Sequence, residues 1–152
     1  MLPQPSSYAN INNKYGGWPY NGEIDIMEAK GRLLNKVDTT LHYGPINEGT
    51  WQSKYDTTET TLTSNTDEWH IYAVEWTANY IKWFVDGKAV QTISSSTWYT
   101  LSSSDASAPF DQPFYILLNL AVGGSYDPQG SVPSNFTSAS MYVDYVRVYE
   151  AL

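Results

Sequence analysis

The sequence predicts an all-β protein. Runs rich in β-branched and aromatic side chains recur along the chain, most clearly at residues 36–43, 68–77 and 79–86. Clusters of Gly, Pro, Asn, Asp and Ser separate these runs, and Asp86-Gly87 has the composition of a tight hairpin turn. No helix signal surrounds the most acidic run, residues 21–29, whose spacers are dominated by isoleucine.

The acidic run predicts a strand that carries an irregularity. Alternation places Glu23 and Asp25 on one face and the intervening isoleucines on the other. Strict alternation would then bring Met27, and not Glu28, to the acidic face. A β-bulge at Ile26-Met27 restores the parity and puts all three carboxylates on one side, as bulges beside active sites commonly do.

Three carboxylates on one strand face suit the hydrolysis of a glycosidic bond. With the bulge, Glu23 and Glu28 have Cα atoms roughly 13 Å apart at ~3.3 Å per residue. Side chains that lean together reach the ~5–5.5 Å separation of a retaining glycosidase, with Glu23 as nucleophile and Glu28 as general acid, later base. Asp25 lies between them and is expected to share a proton with Glu23, because neighbouring carboxylates cannot all ionise without cost.

Two other interpretations of the acidic run are open. A solvated acidic strand face is one, although acids are depleted in strands and like charges in a row are destabilising. A metal site is the other, but the chain has two His and neither is adjacent to the run.

The strand at 36–43 brings a histidine toward the acids. Its polar face carries Asp38, Thr40 and His42, while Val37, Thr39, Leu41 and Tyr43 alternate on the opposite face. If this strand pairs with the acidic one, His42 comes within reach of the carboxylates. We expect it to donate a hydrogen bond to sugar or to Asp25; a purely structural strand histidine is the alternative.

The remaining elements follow from the same signals. Trp18 follows two glycines and precedes a proline, an extended context that favours stacking on a flat ligand over core packing. Trp76 could serve the core or a ligand equally well. The apolar run 113–122 predicts a strand buried on both faces, interrupted by Asn119, whose amide would brace the acidic strand or contact sugar. Further strands are expected at 50–62 and 140–149, and loops at 4–17, 94–109 and 125–139.

Length and charge narrow the function classes. The 152 residues suffice for one domain with a core of its own. A net charge of −8 argues against nucleic acid and anionic membranes as partners and suits a neutral or cationic substrate. The chain has no Cys, so disulfides say nothing about its compartment. Neither a signal peptide nor an apolar run long enough to span a membrane is visible.

The segment Gly17-Trp18-Pro19-Tyr20-Asn21-Gly22-Glu23-Ile24-Asp25-Ile26-Met27-Glu28 resembles the catalytic signature of glycoside hydrolase family 16, in the bulged form typical of laminarinases (endo-β-1,3-glucanases). The resemblance continues in order through nearly the whole chain, in residues 40–44, 67–76, 81–87, 119–124 and 141–149. It implies a β-jelly-roll sandwich of two antiparallel sheets, concanavalin A-like, with a glucan cleft on the concave sheet. Members usually carry several strands before the segment that Met1-Leu2-Pro3 matches. We therefore expect residues 1–152 to be one catalytic domain that lacks the N-terminal third of the usual one.

The resemblance also implies a substrate and further roles. It implies retaining endo-hydrolysis of β-1,3-glucan or mixed β-1,3/1,4-glucan, with no cofactor required for catalysis. Trp18 would floor a sugar subsite, and Asp144 would be one ligand of a structural calcium ion, other ligands of which belong to the absent part. Two alternatives are open: a non-catalytic glucan-binding module, and a hydrolase of algal galactans such as agarose or carrageenan. A secreted protein is expected, with oligomers possible through exposed sheet edges.

Overall fold

The computed structural model describes residues 1–5, 14–47, 52–128 and 131–150, with the side chains of residues 46, 47 and 52 excepted. Part of the predicted loop at 4–17 and the start of the predicted strand at 50–62 lie outside these residues. The described residues contain strands and no helix, which confirms the predicted fold class. They fall into two compact units, Met1–Leu117 and Leu118–Leu152.

All eight strands belong to the first unit, and each pairing is antiparallel. Their bounds are β1 Leu2–Pro3, β2 Glu23–Glu28, β3 Lys36–Asn47, β4 Gln52–Thr61, β5 Tyr72–Trp76, β6 Tyr80–Val85, β7 Lys88–Ser94 and β8 Phe114–Tyr115. Three sheets result, with the strand orders β2-β3-β4, β5-β6-β7 and β1-β8. A tight turn links β6 to β7, where Asp86 and Gly87 have φ angles of 50° and 76°, as the Asp-Gly hairpin signal predicts.

The two three-stranded sheets pack face to face. Alternation along β3 buries Val37, Thr39, Leu41 and Tyr43 on one side, as expected. Together with side chains of β2, β6 and β7 and of the loops that follow, this side forms one apolar cluster: Ile24, Leu41, Tyr43, Ile81, Trp83, Ile93, Trp98 and Phe110. The opposite face of β2 and β3 carries the polar residues, so the core fixes the sheet from behind and leaves its acidic face available.

Two predicted strands are wrong: the one at 113–122 is much shorter than expected, and the one at 140–149 does not form. The run 113–122 forms a strand only at Phe114–Tyr115, and the leucines that follow are exposed, Leu118 by 60%. A strand needs ladder hydrogen bonds to a neighbour, and this run finds its pairing within the described residues in β1, which offers two positions. The run 140–149 has no strand hydrogen bonding, and Tyr142 and Val148 are 78% and 82% exposed.

Two smaller findings concern the residues before β5 and the question of a membrane-spanning helix. The predicted strand at 68–77 begins only at Tyr72, and Trp69, which precedes it, is 70% exposed. In the part of the chain that the structure describes, there is no helix of the length and apolarity needed to cross a bilayer.

Candidate active site

A bulge in β2 gathers the three acids on one face. Glu23 lies opposite His42 of β3 and Asp25 lies opposite Thr40, in ordinary antiparallel register. The register then shifts, because the next pair is Glu28 with Asp38, so that two residues of β2, Ile26 and Met27, lie opposite the single residue Thr39 of β3. This inserted residue turns Glu28 to the face that Glu23 and Asp25 share, as the sequence predicted.

The indole of Trp18 is a direct partner of Glu23. Its Nε1–H donates to Glu23 Oε2 over 2.6 Å, while 45% of the Trp18 surface remains exposed. Burial and the charge of Asp25 raise the pKa of Glu23. The Trp18 hydrogen bond and the nearby imidazole of His42 act in the opposite direction and favour the carboxylate form.

His42 occupies the centre of the polar face. Its Nε2 lies 3.4 Å from Asp25 Oδ2, and its Nδ1 is 2.8 Å from the hydroxyl of Ser53 on β4. The imidazole lies between the rings of Trp18 and Tyr55, with centroid distances of 5.8 and 5.6 Å. Burial by itself would lower the pKa of His42, but the hydrogen bond to Asp25 and that carboxylate's charge outweigh it and raise the pKa. The imidazolium form is thereby favoured beside the acids.

Glu28 has a different set of partners. Thr40 of β3 donates its hydroxyl to Glu28 Oε2 over 3.0 Å, and the Thr40 oxygen is also 3.0 Å from the hydroxyl of Thr57 on β4. Burial and the charge of Asp25 raise the pKa of Glu28, and the Thr40 hydrogen bond moderates that rise. No indole or imidazole donates to Glu28 among the hydrogen bonds of the described residues.

The core holds the bulge from behind. The indole Nε1–H of Trp83, a fully buried residue of β6, donates to the backbone carbonyl of Asp25 over 2.9 Å. A bulge leaves backbone groups out of the ladder, and a buried carbonyl without a donor is costly. This contact therefore ties the irregular part of β2 to the opposite sheet.

The two glutamates have similar electrostatics but different hydrogen-bond donors. Burial and the charge of Asp25 raise the pKa of both, and the imidazole of His42 opposes this rise at both. Glu23 accepts from the indole N–H of Trp18, whereas Glu28 accepts from the hydroxyl of Thr40. Two carboxyl groups on one strand face, with different donors, are the kind of pair that a retaining glycosidase uses.

Three predicted site residues, Trp76, Asn119 and Asp144, have surroundings of their own. Trp76 is fixed by a hydrogen bond from its Nε1–H to the carbonyl of Phe110, and it lines a surface hollow of about 370 Å³ that residues 107–113 complete. Asn119 lies in the second unit and is exposed, so the prediction of a buried strand amide is wrong. Asp144, also in the second unit, is exposed. Their roles toward sugar and calcium stay predictions.

One group of side chains has the spacing of a cation site. Within the described ranges, the one group of three acid or histidine side chains close enough to share an ion is Glu23, Asp25 and His42, whose ligand atoms lie within 4.8 Å of one another. Asp144 belongs to no such group of described acid and histidine side chains. In the group of Glu23, Asp25 and His42, Trp18 already donates to an oxygen of Glu23, and the hydroxyl of Ser53 is hydrogen-bonded to Nδ1 of His42.

Sequence reasoning missed part of this site. Thr40 stood on the predicted polar face, but its contact with Glu28 depends on the register between β2 and β3. Ser53 and Tyr55 come from β4, and no sequence signal linked that strand to the acids. Trp83 lies in the predicted strand 79–86, but no sequence signal indicated its donor function toward Asp25, which follows from how the sheets pack.

Comparisons with known proteins agree with this geometry. The family model described as "Glycosyl hydrolases family 16" matches residues 5–147. The chain is 41% identical over 154 residues to glucan endo-1,3-beta-glucosidase A1 of Niallia circulans, covering 99% of this chain and 21% of that protein. It is 36% identical over 151 residues to a beta-glucanase of Rhodothermus marinus, covering 98% and 50%.

A solved structure has a similar fold. The crystal structure of LamA from Z. galactanivorans in complex with laminaritriose and laminaritetraose matches with a TM-score of 0.62 and 28% identity. The match covers 84% of this chain and 47% of that one. The chain therefore spans half the length, or less, of the relatives named here.

Proposed function

Because this chain belongs to glycosyl hydrolase family 16, we propose that it cleaves β-1,3-glucan, or mixed β-1,3/1,4-glucan, within the polymer and with retention of configuration. The observation that carries the proposal is the bulge in β2, which gives Glu23 and Glu28 a common face but different hydrogen-bond donors. The activities for which the Niallia and Rhodothermus relatives are named support the choice of substrate.

The reaction proceeds by two displacements. The Glu23 carboxylate attacks the anomeric carbon while Glu28 gives its proton to the departing glycosidic oxygen, and a covalent glycosyl-enzyme forms. Glu28, now a carboxylate, removes a proton from a water molecule whose oxygen displaces Glu23 from the sugar. Each step inverts the anomeric carbon, so the product has the configuration of the substrate.

Asp25 and His42 set the electrostatics of these steps. The Asp25 charge raises the pKa of both glutamates, which helps Glu28 to hold the proton that it must deliver. His42 lies against Asp25, and its imidazole offsets part of this effect at both glutamates. Trp18 combines a hydrogen bond to the nucleophile with an exposed ring face on which a sugar can stack.

The test is a pair of single substitutions with rescue by azide. Glu23→Ala and Glu28→Ala should each lower kcat on laminarin at least about 10³-fold. In Glu23→Ala, azide replaces the nucleophile and gives an α-glycosyl azide after one inversion. In Glu28→Ala, azide intercepts the glycosyl-enzyme of an activated aryl glycoside and gives a β-glycosyl azide after two. The matched control is Glu59→Gln, an acid of the same sheet paired with Lys36, which should retain full activity.

Substrate assays separate the alternatives. Reducing ends released from laminarin or lichenan support the proposal, whereas release from agarose or carrageenan alone would replace it with galactan hydrolysis. Binding to laminarin without release of reducing ends would make the chain a glucan-binding module.

We also propose that the protein acts outside the cell, where such polymers are found. Its oligomeric state, measured by light scattering, would test pairing through sheet edges.

A further inference from the structure

A pair of threonine hydroxyls lies behind the acid/base residue. Thr40 is 4% exposed, and its hydroxyl has two partners, Glu28 Oε2 and the Thr57 hydroxyl, each at 3.0 Å. Thr40 and Thr57 are direct register partners across β3 and β4, so the backbone ladder fixes their spacing. Thr57 lies on the exposed side of the pair.

We propose that Thr40 is a positioning residue that selects which oxygen of Glu28 carries the catalytic proton. A hydroxyl that donates to Oε2 makes Oε2 an acceptor, and the proton of the neutral carboxyl then has its place on Oε1. Thr57 supports this arrangement, because a hydroxyl that donates to the Thr40 oxygen leaves the Thr40 hydrogen directed at Glu28. The inference rests on the proposed function, since it assigns a task to Thr40 in the chemistry of Glu28.

The arrangement serves both protonation states of Glu28. While Glu28 is the acid, Oε2 accepts from Thr40 and Oε1 presents the proton to the glycosidic oxygen. After the transfer, the carboxylate keeps the same hydrogen bond, and Oε1 is ready to take a proton from water. No proton moves along the threonines and neither hydroxyl has to turn, so the donor set is organised before each step.

The first experiment compares pH profiles of kcat/KM on laminarin. Thr40→Val keeps the shape of the side chain and removes the donor that stabilises the Glu28 carboxylate, so the pKa of Glu28 rises. The alkaline limb, where Glu28 loses its proton, should move up by about one pH unit, and kcat at the optimum should fall about tenfold with little change in KM. Thr40→Ser should restore both.

Two variants serve as controls. Thr39→Val removes a buried hydroxyl from the next residue of β3, one that contacts Gln91 on the core side, so the alkaline limb should stay where it is in the wild type. Thr57→Val should move the limb in the same direction as Thr40→Val but less, because water can replace an exposed hydroxyl. An unmoved limb in Thr40→Val, or an equal movement in Thr39→Val, overturns the proposal.

The leaving group gives a second test. A β-glucoside with a dinitrophenolate leaving group needs no proton in the first displacement, so kcat/KM of Thr40→Val on it should lie within about twofold of the wild type. Equal losses on both substrates would mean that the substitution disturbs more than Glu28 and would refute the assignment.

A third measurement does not depend on activity. The titration of the ¹³C-labelled Glu28 carboxyl, assigned by its absence in Glu28→Gln, should shift to higher pH in Thr40→Val. If the wild type hydrolyses no glucan, the proposed function fails while this titration still reports on the Thr40 contact. If the titration of Glu28 is unchanged in Thr40→Val, the inference fails even in an active enzyme.

Discussion

Replacing Trp83 by Phe tests whether the core holds the catalytic strand in its irregular shape. Trp83→Phe removes the indole donor to the part-buried Asp25 carbonyl, at a cost of about 1–3 kcal/mol. The smaller ring also buries about 50 Å² less apolar surface, which adds about 1 kcal/mol at ~25 cal/mol per Å². We expect the free energy of unfolding to fall by about 2–4 kcal/mol, and kcat to fall about tenfold as the bulge relaxes.

The assay is urea unfolding followed by far-UV circular dichroism, with kcat measured where the variant is folded. Trp98→Phe is the matched control: Trp98 is 3% exposed in the same cluster, and its indole donates to the carbonyl of Ala106, in a loop. It should lose similar stability and keep its kcat. If Trp83→Phe also keeps its kcat, or if both variants lose it equally, the contact with Asp25 does not hold the site.

Two further predictions concern the stability of the first unit. Gly22 has a φ of +82°, and an added Cβ would lie 2.7 Å from Cε1 of Phe110, so Gly22→Ala should lower the free energy of unfolding by more than about 2 kcal/mol. Gly87 has a similar φ of +76° but open space around it, so Gly87→Ala should cost only the backbone strain, about 1 kcal/mol. A thermal melt of both variants compares them, and equal losses would rule out the clash. The hydrogen bond to Asp86 raises the pKa of His70 against the opposing effect of burial, and the bond to His70 lowers that of Asp86. The contribution of this pair to the free energy of unfolding should therefore be greatest between about pH 4 and 6.5. It should decline as the pH rises through the folded-state pKa of His70. The pH dependence of Tm in His70→Gln should lack this decline, and a persisting decline would assign it to other groups.

The sequence was a good guide wherever alternation decides the structure. The parity of Glu23, Asp25 and Glu28 required an inserted residue, and the register shows it. The polar face of β3 was identified with His42 on it, and His42 does reach Asp25. These inferences succeeded because side-chain direction in a strand depends on the chain itself, with a period of two residues.

Inferences that depend on a neighbour were less reliable. The run 113–122 looked like a buried strand, but burial requires other elements on both faces, and most of this run has none among the described residues. Composition indicates that a segment can form a buried strand when other elements pack against it, but it does not show which elements do so.

By itself, the sequence determined the strand class, the irregular acidic motif and the family, because each is written in local order and spacing. The polar face of β3 already offered His42 to Asp25 or to sugar, and the register with β2 selected Asp25. Tertiary structure alone decided the donors of the two glutamates, the indole of Trp18 for Glu23 and the hydroxyl of Thr40 for Glu28. They come from other strands and loops, and the register between strands, which long-range packing sets, brings them together.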